Sequence, residues 1–275
     1  MRCMKLSKKR ITTFQKHIFD WWKTNKRDLP WRRTHDPYKI FVSEVMLQQT
    51  QVSRVLAGYR EFIEQYPTIT DLSHASTADV LKRWKGMGYN RRALYLKRAA
   101  ESIIRDYGGI FPKSEKELVK LPGLGTYTAR AILVFAYRQN VAMVDTNIRQ
   151  IIIHFFFHDK LQKESVIQSL ADQLVPRGKS WEWHQALMDF GAIALRKSNR
   201  PERSRKTSQP FRETNRFYRG RIMDLLRDKR YREKTLVLKL TEDYGKPKEF
   251  FSIILSGLIK DLLIERTGSF ISLPR

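Results

Sequence analysis

The sequence predicts a mainly α protein that ends in a small winged-helix-like module, and three observations carry this reading. Apolar residues recur three and four positions apart through residues 10–195, as in Ile40–Phe62, Val80–Ile104 and Ala129–Tyr137, and no series of alternating strands interrupts them. Helix breakers fall between these stretches at Leu29–Pro30, Asp36–Pro37, Tyr66–Pro67, Gly108–Gly109, Pro122–Gly125 and Pro176–Gly178. After residue 214, three helical stretches precede ERTGSFISLP, a β-prone run with a central glycine.

Several helix starts carry their own signals. Ser76 stands as an N-cap before Ala78–Trp84 and Ser114 before Glu115–Leu121, because a serine oxygen can accept from a free amide of the first turn. Asp145, after the apolar run Val141–Val144, caps a further helix in the same way. Residues 196–214 read as a connector: RKSNRPERSRKTSQPFRET is polar, contains two prolines and is intensely basic. Beyond it Phe217–Leu226, Thr235–Tyr244 and Lys248–Leu263 form three helices followed by a strand pair, the order of a winged helix-turn-helix. Its expected core is Ile222, Leu226, Leu236, Leu255, Leu258 and Leu262.

Composition narrows the partner. Lys and Arg total 53 against 28 Asp and Glu, a formal charge of +25 over 275 residues. Such an excess works against compaction through self-repulsion, so a polyanion is expected to offset it. The longest apolar run, Ile151–Phe157, is too short to span a bilayer, which favours nucleic acid over membrane. The basic N-terminus has no continuous apolar segment, so an intracellular, cytoplasmic location at the nucleoid is expected. A single cysteine, Cys3, excludes an internal disulfide and any multi-cysteine metal site, and the six histidines show no metal-binding spacing.

The stretch LPGLGTYTAR, residues 121–130, places Gly123 and Gly125 at a helix-to-helix turn without an acidic residue. The helix that follows presents free N-terminal amides, which together with its dipole bind a phosphate oxygen without reading a base. Glu44 stands inside the otherwise apolar VSEVM, where a carboxyl must find partners or titrate high. Asp145 follows the glycine turn by twenty residues. A raised carboxyl and an ionised one are what cleavage of a glycosidic bond needs, the first to protonate the leaving group and the second to face the sugar cation.

The blocks LPWR (29–32), PYKIFVSEVMLQQTQV (37–52), WKGMGYNRRALYLKRAA (84–100), GGIFP (108–112), LPGLGTYTARAIL (121–133), VDTNIRQ (144–150) and HQALMDFGA (184–192) resemble, in unbroken order, the helix-hairpin-helix DNA glycosylases. QQTQV and GMGYN resemble the MutY-type adenine branch. The resemblance implies an all-α, two-lobed fold, with one lobe over about residues 30–140, the other over 1–29 and 141–195, and the extruded base held between them. By similarity Glu44 protonates adenine and Asp145 stabilises C1′ of the sugar, with Tyr127 and Asn147 hydrogen-bonding around them. Gln49 and Tyr89 match residues that wedge into the duplex, flanked by Gln48, Thr50 and Met87. Trp31 and Arg32 match the lining of the adenine pocket, and Leu121, Gly123, Leu124, Gly125 and Thr128 the phosphate-binding hairpin.

Position 127 bears on the reaction type, because the lyase branch of the superfamily keeps a lysine there that attacks C1′. Tyrosine in this place implies a monofunctional enzyme that uses water and leaves an abasic site. Two departures from the family follow the MDFGA block. The four cysteines that hold an iron–sulfur cluster in most members are missing, so no cluster and no other cofactor is expected, apart from a monovalent cation at the hairpin turn. Residues 215–275 are too few for the Nudix-like domain of typical members. The expectation is thus a monomeric, clusterless adenine glycosylase acting on double-stranded DNA that carries adenine opposite 8-oxoguanine or guanine. A thymine or uracil G-mismatch glycosylase is the first alternative and a non-catalytic DNA-binding protein the second.

Overall fold

In the computed structural model, which describes residues 5–195 and 210–275, the chain divides into two units by internal contacts. One unit takes in residues 5–44 and 111–195, the other 45–110 and 210–275. Among the described residues no helix is long and apolar enough to cross a membrane.

The first unit begins with α1, Lys8–Asn25, capped by Ser7, whose side chain accepts from Arg10 N. Phe14, Ile18 and Trp22 recur every fourth residue and form its buried stripe. They pack with Ile148, Ile152 and Phe156 of α9 (Thr146–Phe157), Leu170 and Leu174 of α10 (Glu164–Leu174), and Trp183, Leu187 and Phe190 of α11 (Ser180–Phe190). Phe14 lies edge-on to Phe156 at 5.0 Å and to Trp183 at 5.7 Å. Each fully buried side chain of this size contributes about 1.5–3 kcal/mol, so the cluster is the main source of order in this unit. The hairpin is made by the short α7, Glu115–Leu118, and by α8, Thr126–Phe135, whose Ala129 and Ala131–Phe135 are all buried. Glu115–Leu121 is therefore helical only in its first four residues.

A buried carboxylate ties the start of the chain to α11. Asp189 accepts from Trp22 Nε1 at 2.9 Å, from Arg27 Nε at 2.5 Å and from Arg32 Nη1 and Nη2 at 2.8 Å each. Burial alone would raise its pKa, but Arg32, Arg27 and Trp22 hold it below the ordinary carboxylate value. Removing one partner of so enclosed a pair costs about 3–5 kcal/mol, because the other charge stays behind unmatched.

The second unit contains α3 (Val52–Gln65), α4 (Ile69–His74), α5 (Thr77–Arg83) and α6 (Arg91–Tyr107). The stretch Ile40–Phe62 is not one helix. α2 spans Pro37–Leu47 and the chain turns through Gln49, in left-handed conformation at φ 52°, before α3 begins. The C-terminal module has α12 (Asn215–Asp228), α13 (Glu233–Tyr244) and α14 (Lys248–Lys260) with β2 (Glu265–Thr267) and β3 (Phe270–Ser272), the expected order. A third strand, β1 (Tyr231–Arg232), joins them antiparallel in the order β1-β3-β2, with Tyr231 opposite Ile271. Two residues are too short a run for any alternation to show in the sequence. Ile222, Leu226, Leu236, Leu255 and Leu258 are buried as expected, but Leu262 is 53% exposed. Helix α14 stops at Lys260 and Leu262 turns to φ 58°, so Leu263 and Ile264 take the inward places.

Candidate active site

The hairpin turn is anchored from below and bare above. Leu121 and Leu124 are buried while Gly123 and Gly125 are exposed. Gly123, at φ 76°, needs glycine for its backbone. Gly125 does not: it is the N-cap of α8 at φ −89°, and a Cβ there would meet nothing within 4 Å. The protein itself sets no demand for glycine at 125. No side chain caps α8, so its first amides stay open to an anion.

In the first turn of α8, Tyr127 meets Glu44. Helix α2 buries Ile40, Phe41, Val42, Val45 and Met46 around Glu44, itself only 6% exposed. The Tyr127 hydroxyl donates to the Glu44 carboxylate. Burial pushes Glu44 up to about 7; the Tyr127 hydrogen bond opposes this and the charge of Asp145 adds to it. Tyr127 is raised well above the usual phenol value, first by burial and then by both carboxylates, so it stays a neutral donor.

Asp145 caps α9, accepting from Ile148 N at 2.7 Å and from Asn147 Nδ2 at 3.1 Å. It keeps partial solvent access, yet surrounding protein raises its pKa against those hydrogen bonds. The segment leading to it is held from three helices. Arg130 and Gln168 donate to Ala142 O at 3.0 and 3.2 Å, and Met143 N donates to His184 Nε2 at 3.1 Å. His184 Nδ1 lies 2.7 Å from Ser180 O, which places the proton on Nδ1, and burial lowers its pKa to about 4. Gly191 completes the support: a Cβ on it would stand 2.7 Å from Asn147 Cβ. Glu44, Tyr127, Asp145 and Asn147 thus form one cluster within the first unit.

Trp31 is buried in the same unit, and Thr128 lies buried on α8. Arg32, matched to the base pocket by resemblance, has its guanidinium on Asp189 and on Arg27 O. In the second unit, Gln49 and Tyr89 are exposed at turns with φ 52° and 46°, and Met87 is buried. These two turns are joined by Arg92, a residue sequence reasoning missed. Its guanidinium donates to the carbonyls of Val45, Met46, Gln48, Met87 and Gly88 at 2.5–3.0 Å and to Thr50 Oγ1 at 3.0 Å. Only the run of arginines in YNRRAL could have hinted at it, and nothing there separates the buried Arg92 from the exposed Arg91.

Among the described residues no three His, Cys, Asp or Glu side chains converge as metal ligands. With one cysteine in the whole sequence, the donors of a four-thiolate iron–sulfur cluster do not exist here. The basic connector expected over 196–214 falls, up to residue 209, outside the described residues.

A family model described as HhH-GPD superfamily base excision DNA repair protein matches residues 42–177. An adenine DNA glycosylase of Mycobacterium tuberculosis (strain CDC 1551 / Oshkosh) is 36% identical over 288 residues, covering 93% of this chain and 93% of its own. A thymine/uracil-DNA glycosylase of Methanothermobacter thermautotrophicus is 35% identical over 189 residues, covering 67% of this chain and 86% of its own. The solved structure of a thermostable thymine-DNA glycosylase superposes with a TM-score of 0.64 at 35% identity, over 67% of this chain and 87% of that one.

Proposed function

This chain belongs to the HhH-GPD superfamily of base excision DNA repair proteins, and from that premise we propose that it hydrolyses the N-glycosidic bond of adenine mispaired with 8-oxoguanine or guanine in double-stranded DNA. As a base excision repair glycosylase it is an enzyme acting on N-glycosyl bonds. The reading of its chemistry rests on one observation: a buried Glu44 held near neutrality beside an Asp145 that is fixed as a helix cap. Protonated Glu44 delivers its proton to the adenine ring, and the C1′–N9 bond breaks with both electrons leaving on the base. Asp145, ionised, faces the positive charge that develops on the sugar. Water then adds at C1′ and loses a proton, which gives free adenine and an abasic site. Tyr127 orients Glu44 and, as a neutral phenol, supplies no amine for a Schiff base. The hairpin amides beginning α8 grip a backbone phosphate beside the extruded nucleotide, while Gln49 and Tyr89 fill the gap it leaves.

Adenine is favoured over pyrimidine because the adenine-specific relative aligns with nearly the whole chain. The thymine/uracil relative, similar in identity over two thirds of the chain, supplies the competing reading. Duplexes carrying adenine opposite 8-oxoguanine, guanine or cytosine, and thymine or uracil opposite guanine, separate the two under single-turnover conditions. Abasic product from adenine opposite 8-oxoguanine or guanine, with no borohydride-trapped adduct, is the expected result. Release of thymine or uracil with adenine left intact would overturn it.

The rate should follow a bell in pH. Glu44 acts protonated, so release falls as pH rises past about 7. Asp145 acts ionised, and because its carboxyl is raised, the acid limb lies above the ordinary aspartate value. Single-turnover rates that stay flat from about pH 6 to 9 would exclude Glu44 as the proton donor.

Gly191→Ala tests the support of Asn147. Gly191 has helical angles, φ −63° and ψ −39°, that alanine adopts freely, so what the substitution introduces is crowding of Asn147, at 2.7 Å from its Cβ and 3.3 and 3.4 Å from its backbone Cα and C. Displacing Asn147 by part of an ångström is expected to slow release by about tenfold or more, while cooperative unfolding is retained. An unchanged rate would show that Asn147 has no part in placing Asp145.

A further inference from the structure

We propose that Arg216 of the C-terminal module is a positioning residue for the wedge Tyr89, so that this module acts in base extrusion and not only in holding DNA. The proposal rests on the reading of Tyr89 as the residue that fills the duplex. Tyr89 is poorly suited to that task alone. It is 41% exposed and sits at φ 46° after Gly86 and Gly88, both at positive φ. A side chain that must displace a base pair has to keep its orientation against the stack, and an exposed tyrosine on a glycine turn loses that orientation by rotamer exchange.

Helix α12 supplies the missing restraint within the same unit. Arg216 Nη1 donates to the Tyr89 hydroxyl at 2.8 Å, and its guanidinium carbon lies 4.3 Å from the ring centroid. Three turns on, Arg227 donates to Asn90 Oδ1 and to Leu81 O, both at 3.0 Å. Eleven helical residues bring a side chain back to the same face, so α12 grips residues 89 and 90 with two guanidiniums from one face. Arg216 is itself placed by the Thr214 cap, which accepts from Phe217 N, and by the Phe211 ring at 5.5 Å. Arg92 lies 5.6 Å from the Tyr89 ring. Among the described residues neither Arg92 nor Arg216 pairs with a carboxylate, so the wedge is framed by uncompensated positive charge, as suits a group that enters between phosphates.

The test compares two duplexes: one with the target adenine opposite guanine, the other with it opposite an abasic gap, where extrusion meets no pairing. Arg216→Ala is expected to slow single-turnover release from the paired duplex by about tenfold and to leave the gapped one within about threefold of the unmodified protein. Arg216 is exposed, so thermal unfolding should be unaffected. Arg216→Lys should behave as Arg216→Ala on the paired duplex, since an ammonium keeps the charge without the planar stack. In a cycle with Tyr89→Phe the two effects should be less than additive. Equal slowing of both duplexes, full rescue by lysine, or additivity would each overturn the proposal in favour of a simple phosphate contact. If Tyr89→Ala itself leaves the paired duplex unaffected, the wedge reading of Tyr89 fails instead, and the two failures are told apart by that variant.

Discussion

Glu44→Gln is expected to lower single-turnover base release by about 10³-fold while making the protein more stable near pH 8. Both effects come from the same burial. The carboxyl titrates at about 7 when folded against 4.5 as an ordinary glutamate, so between these values the folded state binds more protons than the unfolded chain. Stability contributed by the protonated form is therefore complete below the unfolded value and is lost as pH rises through the folded one. Glutamine is neutral throughout, keeps an oxygen for the Tyr127 hydroxyl and removes this loss, worth on the order of 3 kcal/mol above pH 8. Urea unfolding of both proteins between pH 4.5 and pH 8 reads the effect as a stability advantage of the variant over the wild type that grows as pH rises. A variant that is inactive but no more stable at pH 8 would mean that Glu44 is solvated in the folded protein.

Asp145→Asn should reduce release by a similar factor, about 10³, and leave mismatch binding within about tenfold. Asparagine caps helices as well as aspartate does, so it still accepts from Ile148 N and α9 keeps its start. What disappears is the negative charge, which in the proposed mechanism stabilises the sugar cation in the transition state and few groups in the ground state. The charge also helps to raise Glu44, so the alkaline limb of any residual activity should move to lower pH. Wild-type rates would show that the anion facing the sugar is not Asp145. A variant with weakened binding and normal saturating rates would place Asp145 in DNA contact instead.

Much of the cluster could be read from residue type against its surroundings. Glu44 is anomalous because every neighbour in VSEVM is small or apolar, and Asp145 is marked by its place before an apolar periodic run. The glycines of LPGLG were likewise visible, although only the backbone angles separate Gly123, which needs positive φ, from Gly125, which does not. Contacts between residues distant in sequence left no local trace. Asp189 resembles any acidic residue on a helix until Arg27 and Arg32 are seen against it, some 160 positions away. Gly191 is explained by Asn147 alone, and Arg216 by Tyr89, 127 positions earlier. Leu262 failed as a core residue for a local reason: helix periodicity was carried two residues past the point where α14 stops.

His184, the residue that pins the approach to Asp145, titrates in the opposite sense to Glu44 over nearly the same range. Its value is lowered from 6.5 to about 4, so the unfolded chain takes up the proton first and stability drains away as the solution turns acid. Glu44, raised from 4.5 to about 7, loses stability as the solution turns alkaline. Between roughly pH 4.5 and 6.5 the two slopes have opposite sign, so the histidine offsets part of the pH dependence that the buried Glu44 carboxyl gives the fold. The histidine in the HQALMDFGA block thus acts as a thermodynamic counterweight to the glutamate, and replacing either one alone would expose the pH sensitivity of the other.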